Sequence, residues 1–360
     1  MLRISGIQNP SLLQNALINY AKALRLLRRN LSRLEQRIPA TTAAVAWLLG
    51  HSDLLIDVNG FMYAQSFYHR ISQTFLSAQS RSGRPEDPVS RALLQDMYRW
   101  EFVRAFVDGS GETLGLDPPF DEENWASMEP FSFRSRERCW DQLQFAAQRM
   151  IVRLSRLARS VRHLQEDLSN ERTVEISEAI GLAEFLLGWE NQDAEKEMLE
   201  SLKKVPTQDQ GLKKYITDSF DFDNANWMVA LRYWCAVLTV TRLSLLLNRA
   251  STKRGHAWLS SKRSQSLLET HDQIIYRILM TVQSCFDRGM LAKLPIVQFL
   301  IIVWGCLSGR ETLTQDGNVS ASVLQKDILG LLGNRAGLPT AWQFKEELII
   351  HWAGVLTMKD

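Results

Sequence analysis

The sequence predicts an all-α fold, a multi-helix array of antiparallel helical pairs with no sheet. Three observations predict it. Apolar residues recur at spacings of three and four along most of the chain, the period of a helix with one buried face. The stretches from Met228 to Leu247 and from Leu294 to Leu307 are apolar nearly all round, as buried helices are. No run alternates apolar and polar residues as a half-buried strand does, and no solenoid-type repeat is present.

The elements follow in order. A first helix carries Leu13, Leu17, Tyr20, Leu24, Leu27, Leu31 and Leu34 on one face. Pro39 ends it, because the residue before a proline is pushed out of the α region. Thr41 or Thr42 can cap a second helix, which holds Val45, Leu48 and Leu49 and runs toward Leu55. A third runs near Phe61 to Ala78, before a loop rich in Ser, Arg, Gly and Pro. The next, Val89 to Val107, buries Leu93, Met97, Trp100 and Val103 and stops at Gly109. Pro118, Pro119 and Pro130 mark an irregular stretch from Gly109 to Ser135. A long helix from Arg136 to Leu168 aligns Leu143, Met150, Leu154, Leu157, Val161 and Leu164. Another spans Thr173 to Trp189. The polar region from Glu190 to Asn226 holds a short helix around Glu195 to Lys204 and breaks at Pro206. Core helices follow at Met228 to Leu247, Leu267 to Phe286 and Ile296 to Leu307. Ser251 to Ser266 reads as a basic, Ser-rich linker. Helices near Val323 to Leu332 and Phe344 to Leu356 close the chain.

With 360 residues, 45% hydrophobic and 23% charged, the composition suits one large helical domain over 1–360. There is room for two lobes, 1–189 and 227–360, joined by the polar segment 190–226. A net charge of +2 selects neither nucleic acid nor an acidic surface. The start, from Met1 to Gly6, lacks the pattern of a signal peptide. Leu294 to Leu307 falls short of the ~20 residues a spanning helix requires. Met228 to Leu247 is long enough but contains Arg232 and Arg242, each costing at least ~2.5 kcal/mol at mid-bilayer. Both read as core helices, and no membrane association is expected.

Four segments carry a resemblance. The first is Leu17 to Leu31, in which Tyr20 precedes Ala23, Leu24 and a basic run. The second is Arg99-Trp100-Glu101-Phe102-Val103-Arg104-Ala105-Phe106-Val107-Asp108-Gly109, followed by Pro118, Pro119 and Trp125. The third is Leu294-Pro295-Ile296-Val297-Gln298-Phe299-Leu300, continuing to Cys306. The fourth is Asp327 to Leu332, then Gly337-Leu338-Pro339-Thr340-Ala341-Trp342 and Ile350-His351-Trp352. Their order resembles the regulatory domain of fungal zinc-cluster transcription factors, from about Leu12 to Trp352. That family's DNA-reading module holds two zinc ions with six closely spaced cysteines. Here the cysteines are Cys139, Cys235, Cys285 and Cys306, and no two form a CxxC-type pair. The resemblance implies a fungal regulator of the nucleus or cytoplasm, tied to a specialised-metabolite pathway, with no direct DNA binding by these residues. A zinc cluster on a missing upstream exon is a variant of the same expectation.

Several residues invite chemistry. His51 and Asp53 sit close together, and a carboxylate can orient an imidazole for acid–base work. Trp100, Arg104 and Asp108 follow at i, i+4 and i+8, with Glu101 beside them, as a cation–π and ion-pair face would. The bland readings are a helix cap and a surface ion pair. Trp227, Tyr233, Trp234 and Trp258 flank core helices and could line a pocket for an apolar ligand, though close packing is the default. Gly109 to Gly115 looks like a phosphate loop but follows a helix and leads into prolines, against the fingerprint's context. Basic stripes at Lys22, Arg25, Arg28, Arg29, Arg33 and at Arg149, Arg153, Arg156, Arg159, Arg162 fit acidic partners or phosphates, with solvated faces as the default. The dispersed histidines show no metal spacing, so neither a metal nor a cofactor is expected.

The leading expectation is a regulatory protein that binds a protein partner or a small apolar molecule. The apolar face from Leu13 to Leu34 could support a homodimer. The alternative is an enzyme on a repurposed scaffold, a cofactor-independent cyclase, isomerase or dehydratase. Its candidate residues are His51, Asp53, Glu101, Arg104, Asp108 and His271.

Overall fold

A computed structural model describes residues 10–32, 41–46, 48–49, 138–166, 173–188, 190–206, 218–222, 226–285, 290–313, 319–332 and 346–358. The described residues are mainly helical. The chain divides into two compact units. One comprises Met1–Trp100, Leu114–Asn124 and Gly333–Gln343; the other comprises Glu101–Thr113, Trp125–Leu332 and Phe344–Asp360.

In the first unit, α1 spans Pro10–Leu31. A proline fits the first helical position, where its missing N–H is not needed. Arg28 and Arg29 in the last turn complement the helix dipole. A second helical segment covers 41–46 and 48–49. Leu27, Ala46 and Leu49 form a buried cluster between the two, with Tyr20, Ala23 and Leu24 packed against it. The periodic face read from the sequence is therefore used inside the chain at Tyr20, Leu24 and Leu27. Thr41 and Thr42, expected as caps, both lie within the helical segment.

The second unit is built around α5. Its elements are α2 (Arg138–Glu166), α3 (Thr173–Leu187), α4 (Gln192–Ser201), β1 (Lys203–Pro206), β2 (Asp218–Asp221), α5 (Asn226–Thr252), α6 (Ser261–Cys285), α7 (Met290–Cys306), β3 (Thr312–Leu313), β4 (Val319–Ser320), α8 (Ala321–Gly330) and α9 (Glu346–Ala353). A 3₁₀ turn, Gly354–Thr357, follows. Helices α2, α3, α6 and α7 all pack on α5. This explains why α5 is apolar all round. It is long and apolar enough to cross a membrane by length and composition, but 83% of its most apolar window is buried inside the chain.

Four sequence readings are corrected. First, two short antiparallel strand pairs are present: β1 with β2, and β3 with β4. They are four and two residues long, too short for alternation to register. Second, the short helix expected from Glu195 to Lys204 is Gln192–Ser201, and Lys203 and Lys204 belong to β1. Third, half of the expected linker from Ser251 to Ser266 is helical, and only 253–260 connects the two helices. α5 ends in a Schellman turn, in which the His256 N–H reaches Ser251 O at 2.9 Å and the Gly255 N–H reaches Thr252 O at 2.9 Å. Gly255 takes the left-handed φ of 82° this turn requires. α6 then begins at Ser261. Fourth, the basic stripe of α2 is a solvated face only in part: Arg156 is exposed, but the others are partly or wholly covered. Arg153 and Arg162 are buried, Arg149 lies over the Phe145 ring at 4.4 Å and Arg153 over Phe185 at 5.2 Å.

Candidate functional site

Two charged centres lie inside the second unit. The first is organised by α4. Asn191 caps this helix, its Oδ1 accepting the Ala194 N–H at 3.0 Å. The Asn191 backbone N–H donates to Tyr233 Oη at 3.0 Å, tying the start of α4 to α5. One turn into α4, Glu195 is buried and Oε1 accepts two donors. They are the Trp234 indole N–H at 2.6 Å and an Arg277 guanidinium N–H from α6. Phe220 of β2 stacks on Trp234, with ring centroids 5.9 Å apart and planes at 29°. Phe222 continues the aromatic chain, edge-on to Phe220 and Trp140.

Burial first, and then charge, sets the protonation preferences here. Burial pushes the Glu190 carboxyl above its ordinary value, and the neighbouring Glu195 carboxylate pushes it further. Burial likewise raises the Tyr233 phenol, with Glu195 again adding to the rise. Arg277 opposes both effects.

The second centre joins α6 to the turn after α7. His271 Nδ1 lies 3.0 Å from Asp272 Oδ1, and Arg310 Nη2 donates to Asp272 Oδ2 at 2.7 Å. His271 and Asp272 are fully buried. Gly309, at φ 77°, makes the turn that brings Arg310 to this point. Arg310 favours the ionised Asp272, so the imidazole donates from Nδ1–H and its lone pair sits on Nε2. Among the described residues, Nε2 has no hydrogen-bond partner. Burial lowers the His271 pKa, Asp272 opposes the shift, and Arg242 and Arg310 reinforce it.

Arg242 lies beside this centre, 1% exposed near the middle of α5. Its guanidinium donates to Ser308 O at 2.8 Å, Met358 O at 2.9 Å and Leu356 O at 3.3 Å. The C-terminal turn is thereby fastened to the core. Cys235 and Cys306 are buried thiols close enough to interact. Burial raises both, Cys306 to about 12, which leaves them protonated and unreactive.

The sequence candidates distribute as follows. Tyr233 and Trp234 meet at the first centre. Trp227 is buried on the same helix, α5. His271 sits at the second centre. His51, Asp53, Trp100, Glu101, Arg104 and Asp108 lie outside the described residues. Glu195, Arg277, Asp272 and Arg310 were missed. Arg242 carried a signal, an arginine in a run otherwise fit for a core, and Asp272 was adjacent to a named histidine. Among the described residues no group of three or more His, Cys, Asp or Glu could hold a metal ion. The chain matches no family model, no curated protein and no solved structure.

Proposed function

We propose that this chain is a transcription-factor-like regulatory protein that acts through a protein partner or a small-molecule effector, without a DNA-reading module in these 360 residues. The observation that carries the reading is the order of the four resembling segments along a mainly helical chain. Two of them include core elements: the third covers much of α7, and the fourth starts in α8. The regulator belongs to a fungal specialised-metabolite pathway, in the nucleus or cytoplasm. The test is a deletion strain in which transcripts of neighbouring genes and metabolites are read from one culture. Collapse of the transcripts together with the product supports regulation. Steady transcripts with one accumulating intermediate overturn it.

A second reading, a cofactor-independent cyclase, isomerase or dehydratase, is favoured by one observation. His271 has its Nδ1 held by a carboxylate and an unpartnered Nε2, the arrangement of an oriented base. Its test is turnover of the accumulating intermediate by purified protein. His271→Gln lowers the rate at least ~100-fold if Nε2 carries the proton. An unchanged rate removes this reading.

A further inference from the structure

The outward face of α1 is basic and apolar at once. Tyr20, Ala23, Leu24 and Leu27 occupy its packed side. Ile18, Lys22, Leu26 and Arg29 follow one another along the other side at helical spacing, with Arg25 beside them. Ile18 is 43% exposed and Leu26 59%. Lys22, Arg25, Arg28 and Arg29 are exposed as well, and α1 contains no acidic residue. The Arg25 Nε–H folds back onto Ala21 O at 3.3 Å, and none of the four cations has an ion pair among the described residues. In the same unit the helical residues 41–46 and 48–49 expose Val45 and Leu48 and bear no charge. Exposed aliphatic side chains are thus framed by cations, and among the described residues neither a carboxylate nor an apolar side chain covers them.

Three occupants fit poorly. A second copy would set Lys22, Arg25 and Arg29 against themselves across a two-fold axis. A lipid surface needs a broad apolar face, and the wider stripe of α1 is already spent on Leu27, Ala46 and Leu49. A nucleic acid would meet Ile18 and Leu26 where it needs phosphate contacts, with no aromatic side chain on this face for stacking. We propose that this face docks an acidic amphipathic helix of a partner protein. The partner's apolar side chains rest on Ile18 and Leu26, and its carboxylates meet Lys22, Arg25 and Arg29. The proposal deepens the partner-binding half of the regulatory reading, but its test is independent of transcripts.

The test uses the full chain and a labelled synthetic peptide of ~15 residues, with Leu on one helical face and Glu on the other. A scrambled peptide of equal composition, anionic vesicles and a DNA duplex are run beside it, each by fluorescence anisotropy or co-sedimentation. The amphipathic peptide binds most tightly, and its affinity falls with added salt. The triple variant K22E/R25E/R29E weakens binding at least ~10-fold and instead binds a peptide with Lys in place of Glu. The gain with the basic peptide shows that the variant is folded. Leu26→Ala weakens binding with less change in salt dependence. Equal binding of the scrambled peptide, tighter binding of vesicles or duplex, an unaffected triple variant, or no peptide binding at all overturns the proposal. Transcript loss in the deletion strain without peptide binding leaves the regulatory reading standing and removes only this partner.

Discussion

Glu195 holds Trp234 and Arg277 on a single carboxylate oxygen, accepting the indole N–H at 2.6 Å and a guanidinium N–H beside it. One side chain of α4 thus ties together α5 and α6, and Phe220 of β2 stacks on the same indole. Removing the carboxylate strands a buried indole donor and a half-buried cation. Glu195→Ala is expected to cost ~2–4 kcal/mol in urea unfolding. Glu195→Gln keeps an acceptor for Trp234 but loses the charge, so it recovers part of that loss. Equal stability of the alanine variant and the wild type would remove Glu195 as the organiser of this centre.

Arg242 makes a different kind of tie. Its buried guanidinium is satisfied by main-chain carbonyls of Ser308, Leu356 and Met358, the last two in the C-terminal turn. Arg242→Met fills similar volume yet leaves those carbonyls without their donor. A loss of about 3 kcal/mol is expected. Hydrogen exchange supplies the sharper readout. Amides of 354–358 exchange faster in the variant, while the middle of α5 keeps its protection relative to global stability. Uniform acceleration across the chain would show that Arg242 acts on the whole core and not on the C-terminal turn.

The elements visible in the sequence were those whose signal is local. The leucine period of α1, the long face of α2 and the apolar run of α5 each follow from neighbours three or four residues apart. Tyr233 and Trp234 stood out as aromatic residues in a core helix, and both reach the first centre. Glu195 did not stand out, because one Glu in the polar run from Gln192 to Glu200 looks like any other until Trp234 is placed beside it. Arg310 was hidden for the same reason. It meets Asp272 only after α7 and the Gly309 turn bring it back. Arg242 was visible as an oddity, but its partners lie far along the chain in main-chain carbonyls that no residue type advertises. The pairing of β1 with β2 was lost because each strand has four residues, so the alternation of the buried Phe220 and Phe222 with Ser219 and Asp221 is too short to stand out.

Gly305 marks a close approach of α7 to α9 and the turn after it. A Cβ there would lie 2.7 Å from Ala353 Cβ and 3.0 Å from Leu356 Cβ. Both neighbours are Cβ atoms, fixed to the backbone and unable to swing away, so the elements must part. Gly305→Ala is expected to cost ~1–3 kcal/mol by thermal or urea unfolding. The double variant G305A/A353G removes the nearer clash and recovers part of the loss. Because Leu356 also supplies a carbonyl to Arg242, the single variant speeds exchange in the C-terminal turn as well. An undiminished midpoint for G305A would place the two helices farther apart than this packing.

His271 and Glu190 link stability to pH in opposite directions. The folded pKa of His271 lies below its ordinary 6.5, from burial first and then Arg242 and Arg310, against the pull of Asp272. As pH falls, the unfolded chain takes the proton before the folded one. The stability this histidine contributes is therefore whole above about pH 6.5 and drains as pH drops from there toward the lower folded value. For Glu190 the folded pKa is raised above 4.5, by burial first and then by Glu195. Its contribution is whole below about pH 4.5 and is lost as pH climbs through the raised folded value. The two substitutions separate these effects. His271→Gln flattens the fall in melting temperature between about pH 7 and pH 5, whatever it does to the absolute value. Glu190→Gln raises the melting temperature at neutral pH relative to its effect near pH 4, because a neutral amide avoids burying a charge and no longer repels Glu195. If His271→Gln keeps the wild-type slope, another group carries the acid sensitivity, and the imidazole takes up its proton at the same pH folded as unfolded.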